Sequence, residues 1–416
     1  MRIEGLTDQS DHGRSRIAAT IIWEDSPRPP QEVHFEVATG GPRLICTSDA
    51  FLTAATLPAF WHGEARLRVD AEVCPELWSG LQTAMGVIRH WYSLGRPPLR
   101  LEARGVRLPR SPRIPDRAGF FYTGGIDSLA TLRANRLAFP PEHPGYIRDG
   151  ILVFGLEVED RAAFQHVIGQ LTPLAQEAGI EVLVVETSER YLDPDWNFWI
   201  DVFEGAVLAA VAHALAGRLT AVSIAASFDI PNLHRLASHP MLDPFYSSVD
   251  VRIRHDGAAL SRFEKTRLVA GWEPGLRHLR VCNDTRAYGA TRLNCGHCEK
   301  CLRTMLALLA VGALDRATAF PPVEITEARI RDVARLHRKN FRFWAELIEP
   351  LECAGRHDLA RGVRYVLDRY YGELGWRGAG KRFDRLYLNG GLQALRNAFR
   401  RGSSEPQPFT GAGGPP

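Results

Sequence analysis

Four cysteines crowd one short stretch of the chain: Cys282, Cys295, Cys298 and Cys301, in "VCNDTRAYGATRLNCGHCEKCLRTML". Two residues separate Cys295 from Cys298 and Cys298 from Cys301, and twelve separate Cys282 from Cys295. Cys-x-x-Cys spacing lets one tight loop present consecutive thiolates to a single ion, and four thiolates complete a closed tetrahedral Zn²⁺ site. With no open coordination position the ion is structural, and His297 inside the cluster finds no vacancy. Ligand softness favours zinc; the alternatives are an iron–sulfur cluster or redox thiols without metal. Cys46, Cys74 and Cys353 are scattered.

A second group lies upstream in "FYTGGIDSLATL", Phe121 to Leu132. Thr123, Gly124, Gly125, Ile126, Asp127 and Ser128 stand where an apolar run gives way to helical spacing. Glycines at a strand-to-helix turn let backbone N–H groups approach phosphate oxygens without a Cβ in the way. The helix N-terminus adds unpaired donors and partial positive charge. Asp127 offers the hard oxygen that suits Mg²⁺. The segment has neither the Gly-Lys-Ser/Thr ending of the P-loop nor the Gly-x-Gly-x-x-Gly dinucleotide fingerprint. The plain alternative is a capped helix start, with Asp127 or Thr123 as the cap.

The elements that must position these residues follow from period and punctuation. From Gly119 onward, "AGFFYT", "ILVFGLEV", "IEVLVVET" and "LTAVSIAAS" read as strands alternating with helical segments. That alternation predicts an α/β fold with a parallel sheet covered by helices on both faces. "SRFEKTRLVAG" and "LRHLRVCN" read as one more helix and strand. The aromatics of "WNFWID", Trp196 to Asp201, open an apolar helix and read as core. Residues 1–112 form a β-rich accessory unit in which "PRLICTS" is one of the strands, followed by a helix from Cys74. A proline- and arginine-rich linker sets a boundary near Ser111. Residues 113–312 then form the domain that holds the glycine loop and the four cysteines, and residues 313–401 a helical region. The tail, 402–416, has the composition of a disordered segment.

"YTGGIDSLAT" resembles the Ser-Gly-Gly-x-Asp-Ser pyrophosphate loop of the N-type ATP pyrophosphatases, with Thr123 in place of the first serine. A four-cysteine group about 150 residues further on makes the motif order similar to 7-cyano-7-deazaguanine synthase, with longer spacing after Cys282. The resemblance covers residues 117–312. It implies an adenine nucleotide alpha-hydrolase-like fold and adenylation of a carboxylate or amide oxygen, ATP giving AMP and pyrophosphate, for attack by ammonia or another amine. ATP and Mg²⁺ are then cofactors beside structural Zn²⁺. Lys265, at a helix start, stands where the resembled enzymes reach the nucleotide phosphates and would offset charge as pyrophosphate leaves; Arg262 is a second choice. Asp127, Ser128 and Lys265 become catalytic candidates. Ser238, His239, Asp243 and Tyr246 fall in the region that supplies substrate contacts. A sulfur-transferring relative and a non-catalytic nucleotide-binding subunit are alternatives.

With 416 residues, 45% hydrophobic and 24% charged, the composition is that of a globular chain of two or three domains. The net charge of +3, from 51 basic and 48 acidic residues, weighs against a nucleic-acid partner. The acceptor is then a small molecule, or a protein or peptide, since relatives of the synthase also occur in bacterial anti-phage and modification operons. A homodimer or an operon partner fits the extra terminal regions. A charged N-terminal stretch and the lack of long apolar runs predict a cytoplasmic protein without a membrane span.

Overall fold

The computed structural model describes residues 1–387, apart from His12, Thr39, Pro112, Ala290 and Thr291. The tail expected at 402–416, and the end of the helical region from 388, lie outside the described residues.

The first half of the chain runs β1 (Arg2–Asp8), β2 (Ser15–Ile22), β3 (Gln31–Val37), α1 (Ser48–His62), β4 (Arg66–Val73), α2 (Pro75–Trp91) and β5 (Arg100–Val106). The second continues β6 (Ala118–Phe121), α3 (Ile126–Ala138), β7 (Ile147–Phe154), α4 (Arg161–Ala178), β8 (Glu181–Thr187), α5 (Trp196–Phe198), α6 (Glu204–Ala214), β9 (Ala221–Ala225), β10 (Arg252–Asp256), α7 (Arg262–Ala270), α8 (Glu273–His278) and α9 (Glu299–Ala310). Four helices follow: α10 (Glu327–Val333), α11 (Phe341–Ala345), α12 (Ile348–Cys353) and α13 (His357–Tyr387).

The ten strands among the described residues form one sheet, ordered β10-β9-β6-β7-β8-β3-β2-β1-β4-β5, with six of its nine pairings parallel. The sheet therefore runs across the boundary expected near Ser111. Its two halves meet through the antiparallel pair β3–β8, where Glu36 faces Glu186. Arg14 and Arg161 pair with these two carboxylates and relieve the like-charge contact. Within the second half β6 is central, with β7 and β8 on one side and β9 and β10 on the other. The chain order reverses between β6 and β9, and in open parallel sheets ligands bind in the crevice beyond the strand ends at such a switch point.

Helices cover both faces of the sheet around β6 and β7, where Phe121 enters one core and Phe120 the other. Among the described residues, only one face is covered over the first half, and β4 alternates buried Leu67 and Val69 with exposed Arg68 and Asp70.

Two sequence expectations change. "PRLICTS" forms no strand, and the chain passes instead into α1, where thirteen of fifteen residues are buried. A helix buried all round has no polar face, so periodicity does not reveal it. "LRHLRVCN" is not the last strand: beyond α8, residues 279–283 lie outside the sheet. The fifth strand of this half is β10, whose alternation of exposed Arg252 and Arg254 with buried Ile253 belongs to a sheet edge.

The two halves also touch through α2. A Cβ added at Gly80 would lie 1.9 Å from the Phe245 carbonyl oxygen. Gly80→Ala is accordingly expected to destabilise the protein by about 1–3 kcal/mol through overpacking, read as a lower urea midpoint.

Candidate functional site

The glycine loop sits at the carboxyl end of β6, beside the switch point. Gly124 has φ +74°, and a Cβ there would meet Leu171 Cδ2 at 2.7 Å, so only glycine fits. Gly125 is the residue before α3, and no side chain caps that helix. The expected caps act otherwise. The Thr123 hydroxyl accepts from the Gly125 N–H (3.3 Å) and donates to Ser128 Oγ (3.2 Å), while Ser128 Oγ donates to the Gly125 carbonyl (3.2 Å). The hydroxyls brace the turn and leave the N–H groups of the first helical turn open to an anion.

Asp127 in this first turn meets two cations from α7. Arg262 Nη2 lies 2.7 Å from Oδ2, and Lys265 Nζ lies 3.5 Å from Oδ1. Asp127 Oδ1 is buried without a hydrogen bond. The Lys265 side chain is buried and donates to the Ala226 carbonyl just past β9 (2.5 Å); its burial lowers the ammonium pKa, with Asp127 opposing that shift. The capping box of Ser261 and Glu264 fixes where α7 starts, and with it both cations.

Arg280 fastens the loop from the other side. Its backbone N–H donates to the Gly124 carbonyl (2.8 Å), and its Nη1 donates to the Thr123 carbonyl (3.2 Å). Its Nε donates to the Tyr288 hydroxyl (3.0 Å), which in turn donates to the Cys282 carbonyl (2.9 Å). Asn294 Oδ1 accepts from the N–H groups of Val281 and Cys282 at 2.8 and 3.2 Å.

Two residues beyond Arg280 begins the cysteine cluster. All four Sγ atoms lie within 4.8 Å of one another, and the pairs Cys282–Cys298 and Cys295–Cys301 are each 3.8 Å apart. A tetrahedron with Zn–S bonds of about 2.3 Å has edges of about 3.8 Å. The separations match zinc coordination and exceed a disulfide bond. Cys295 Sγ accepts from the N–H groups of His297 (3.3 Å) and Cys298 (3.2 Å), around Gly296 at φ +71°. His297 turns away, its Nδ1 2.5 Å from Arg329 Nη2. The four cysteines together fit a zinc ion.

Further contributors carry no sequence signal. Arg303 on α9 is buried, with Nη1 3.3 Å from Glu299 Oε1 but without a hydrogen bond. Arg262 and Arg303 both lie against the Phe343 ring of α11, at 4.7 and 4.8 Å, so the C-terminal helices help to hold the cations of the site. His255, on β10, places its Nδ1 2.8 Å from Asp243 Oδ2.

The residues expected to contact substrate gather around that carboxylate. Asp243 is wholly buried and accepts from Ser238 Oγ (2.8 Å) and the His239 N–H (3.2 Å). Burial lowers the His239 pKa to about 4, and its Nδ1 accepts from the Met241 N–H. Tyr246 is enclosed in the core, with its hydroxyl unpartnered.

A cavity of about 100 Å³ adjoins Thr123 over the ends of β6 and β7. Its walls include Ile151, Leu156, Phe164, Trp199 and Leu208; Glu157, Glu204 and Arg280 supply its charged groups. Trp199 is buried as expected of core, yet it also faces this space, whereas Trp196 is 49% exposed.

No protein-family model, no curated protein and no solved structure matches the chain. Among the described residues, no helix is long and apolar enough to cross a membrane.

Purified protein is expected to carry about one zinc per chain by elemental analysis. Cys298→Ser should lose most of it and lower Tm by on the order of 5–10 °C, whereas Cys353→Ser, at an exposed cysteine, should change neither.

Proposed function

We propose that the chain is an ATP-dependent adenylating enzyme of the N-type ATP pyrophosphatase kind, with the adenine nucleotide alpha-hydrolase-like fold. It converts ATP to AMP and pyrophosphate while activating a carboxylate or amide oxygen of an acceptor for attack by ammonia or another amine. One observation carries this reading: an uncapped, glycine-started helix at the sheet's switch point has Asp127, Lys265 and Arg262 gathered against it.

In this reading the 123–128 backbone cradles the pyrophosphate, and Lys265 offsets negative charge where the α–β phosphate bond breaks. The unbonded Asp127 Oδ1 fits Mg²⁺ carried with the nucleotide, the ion supplying charge neutralisation on the phosphates. Zinc, held by Cys282, Cys295, Cys298 and Cys301, keeps the Arg280 segment in place and takes no part in the reaction. The acceptor, a small molecule or the end of a peptide or protein, enters beyond β9 and β10, towards the Asp243 group.

Incubation with ATP, Mg²⁺ and a panel of carboxylate and amide acceptors should release AMP and pyrophosphate in equal amounts. Lys265→Ala and Asp127→Ala should each slow that release by about 100-fold or more. ADP and phosphate as products would contradict the proposal.

A further inference from the structure

Glu204 stands out among the carboxylates of the second half. It opens α6 directly after a π-turn, Trp199–Phe203, and irregular turns of this kind inside helices recur at functional sites. The turn sets Trp199 and Glu204 on the wall of the cavity beside Thr123. That cavity starts at the glycine loop, has mainly aliphatic and aromatic walls, and is lined by two carboxylates, Glu157 and Glu204. A flat heterocycle attached to the phosphates in the loop has this space as its neighbour.

We propose that the cavity receives the adenine of ATP and that Glu204 reads the base edge, donating to N1 and accepting from the 6-amino group. The inference rests on the adenylation reading. A carboxylate has no proton to donate and would turn lone pairs towards N1, so the pairing requires a neutral carboxyl. Enclosure supplies that state. Burial raises the Glu204 pKa to about 8; Glu157 and Asp243 push it the same way, and Lys300 and Lys339 oppose them. Arg280 is the other charged group lining the cavity, on the loop side. Glu204 is therefore protonated at neutral pH and loses its donor as pH rises through about 8. Adenine affinity must fall over the same interval.

The probe is α,β-methylene-ATP with Mg²⁺, which cannot be cleaved to AMP, titrated by calorimetry from pH 6.5 to 9. Wild-type protein is expected to bind up to about 10-fold more weakly at pH 9 than at pH 7. Glu204→Gln keeps a donor and an acceptor at every pH, so it should bind within about 3-fold of wild type at pH 7 and stay level to pH 9. Glu204→Ala should weaken binding by about 10-fold or more at pH 7. If Glu204→Ala binds like wild type, or if Glu204→Gln declines with pH as wild type does, the Glu204 assignment falls and the adenylation reading stands. Failure of the wild-type chain to bind the nucleotide at any pH would remove both.

Discussion

Arg280 is held at two levels, and the candidate site depends on both. Its backbone and guanidinium grip the carbonyls of Gly124 and Thr123, while its own extended segment is pinned by Asn294 and Tyr288 to the residues that carry the thiols. A glycine-rich turn has little conformational preference of its own, so something outside it must select the shape that aims its N–H groups. Here that selection comes from a segment about 155 residues further along the chain. A closed four-thiolate zinc site suits the role, because it fixes a loop with few residues and without a large apolar core.

The rest of the molecule supplies walls for this centre. The parallel half of the sheet places β6 at the switch point, and α7 delivers Lys265 and Arg262 to the far side of Asp127. The C-terminal helices press Phe343 against Arg262 and Arg303, with Trp344 Nε1 donating to Glu299 Oε1 at 2.7 Å. The first half of the chain extends the sheet through β3 and packs α1 against α6 in one continuous core. Glu204 stands at the start of that same helix. The strands and helices of residues 1–112 thus support the helix that walls the cavity, as well as carrying surface of their own.

What the sequence revealed, and what it concealed, divides along physical lines. Gly124, Gly125 and Asp127 were legible because their chemistry is local: a turn needing positive φ, followed by a helix start. The four cysteines were legible because metal geometry constrains their spacing. Helix α1 escaped notice because it has no polar face, and β10 because an edge strand alternates arginines with its apolar residues. Arg280, Arg303, His255 and Glu204 gave no signal, since the fold sets each against groups from elsewhere in the chain: Arg280 against Thr123, Arg303 against Phe343, His255 against Asp243 and Glu204 against the cavity beside Thr123. Ser238, His239 and Asp243 do meet, but as a buried hydrogen-bonded group centred on the Asp243 carboxylate, which only the fold could reveal.

The shape of the glycine loop depends on the thiol cluster holding it through Arg280, and amide hydrogen exchange tests that link directly. Zinc-loaded and chelator-stripped protein should be compared residue by residue over 118–132 and 279–301. Stripping should expose the amides of 123–128 together with those of the cluster, while β7 and β8 keep their protection. Loop amides exchanging at the same rate with and without zinc, while the cluster itself opens, would contradict it.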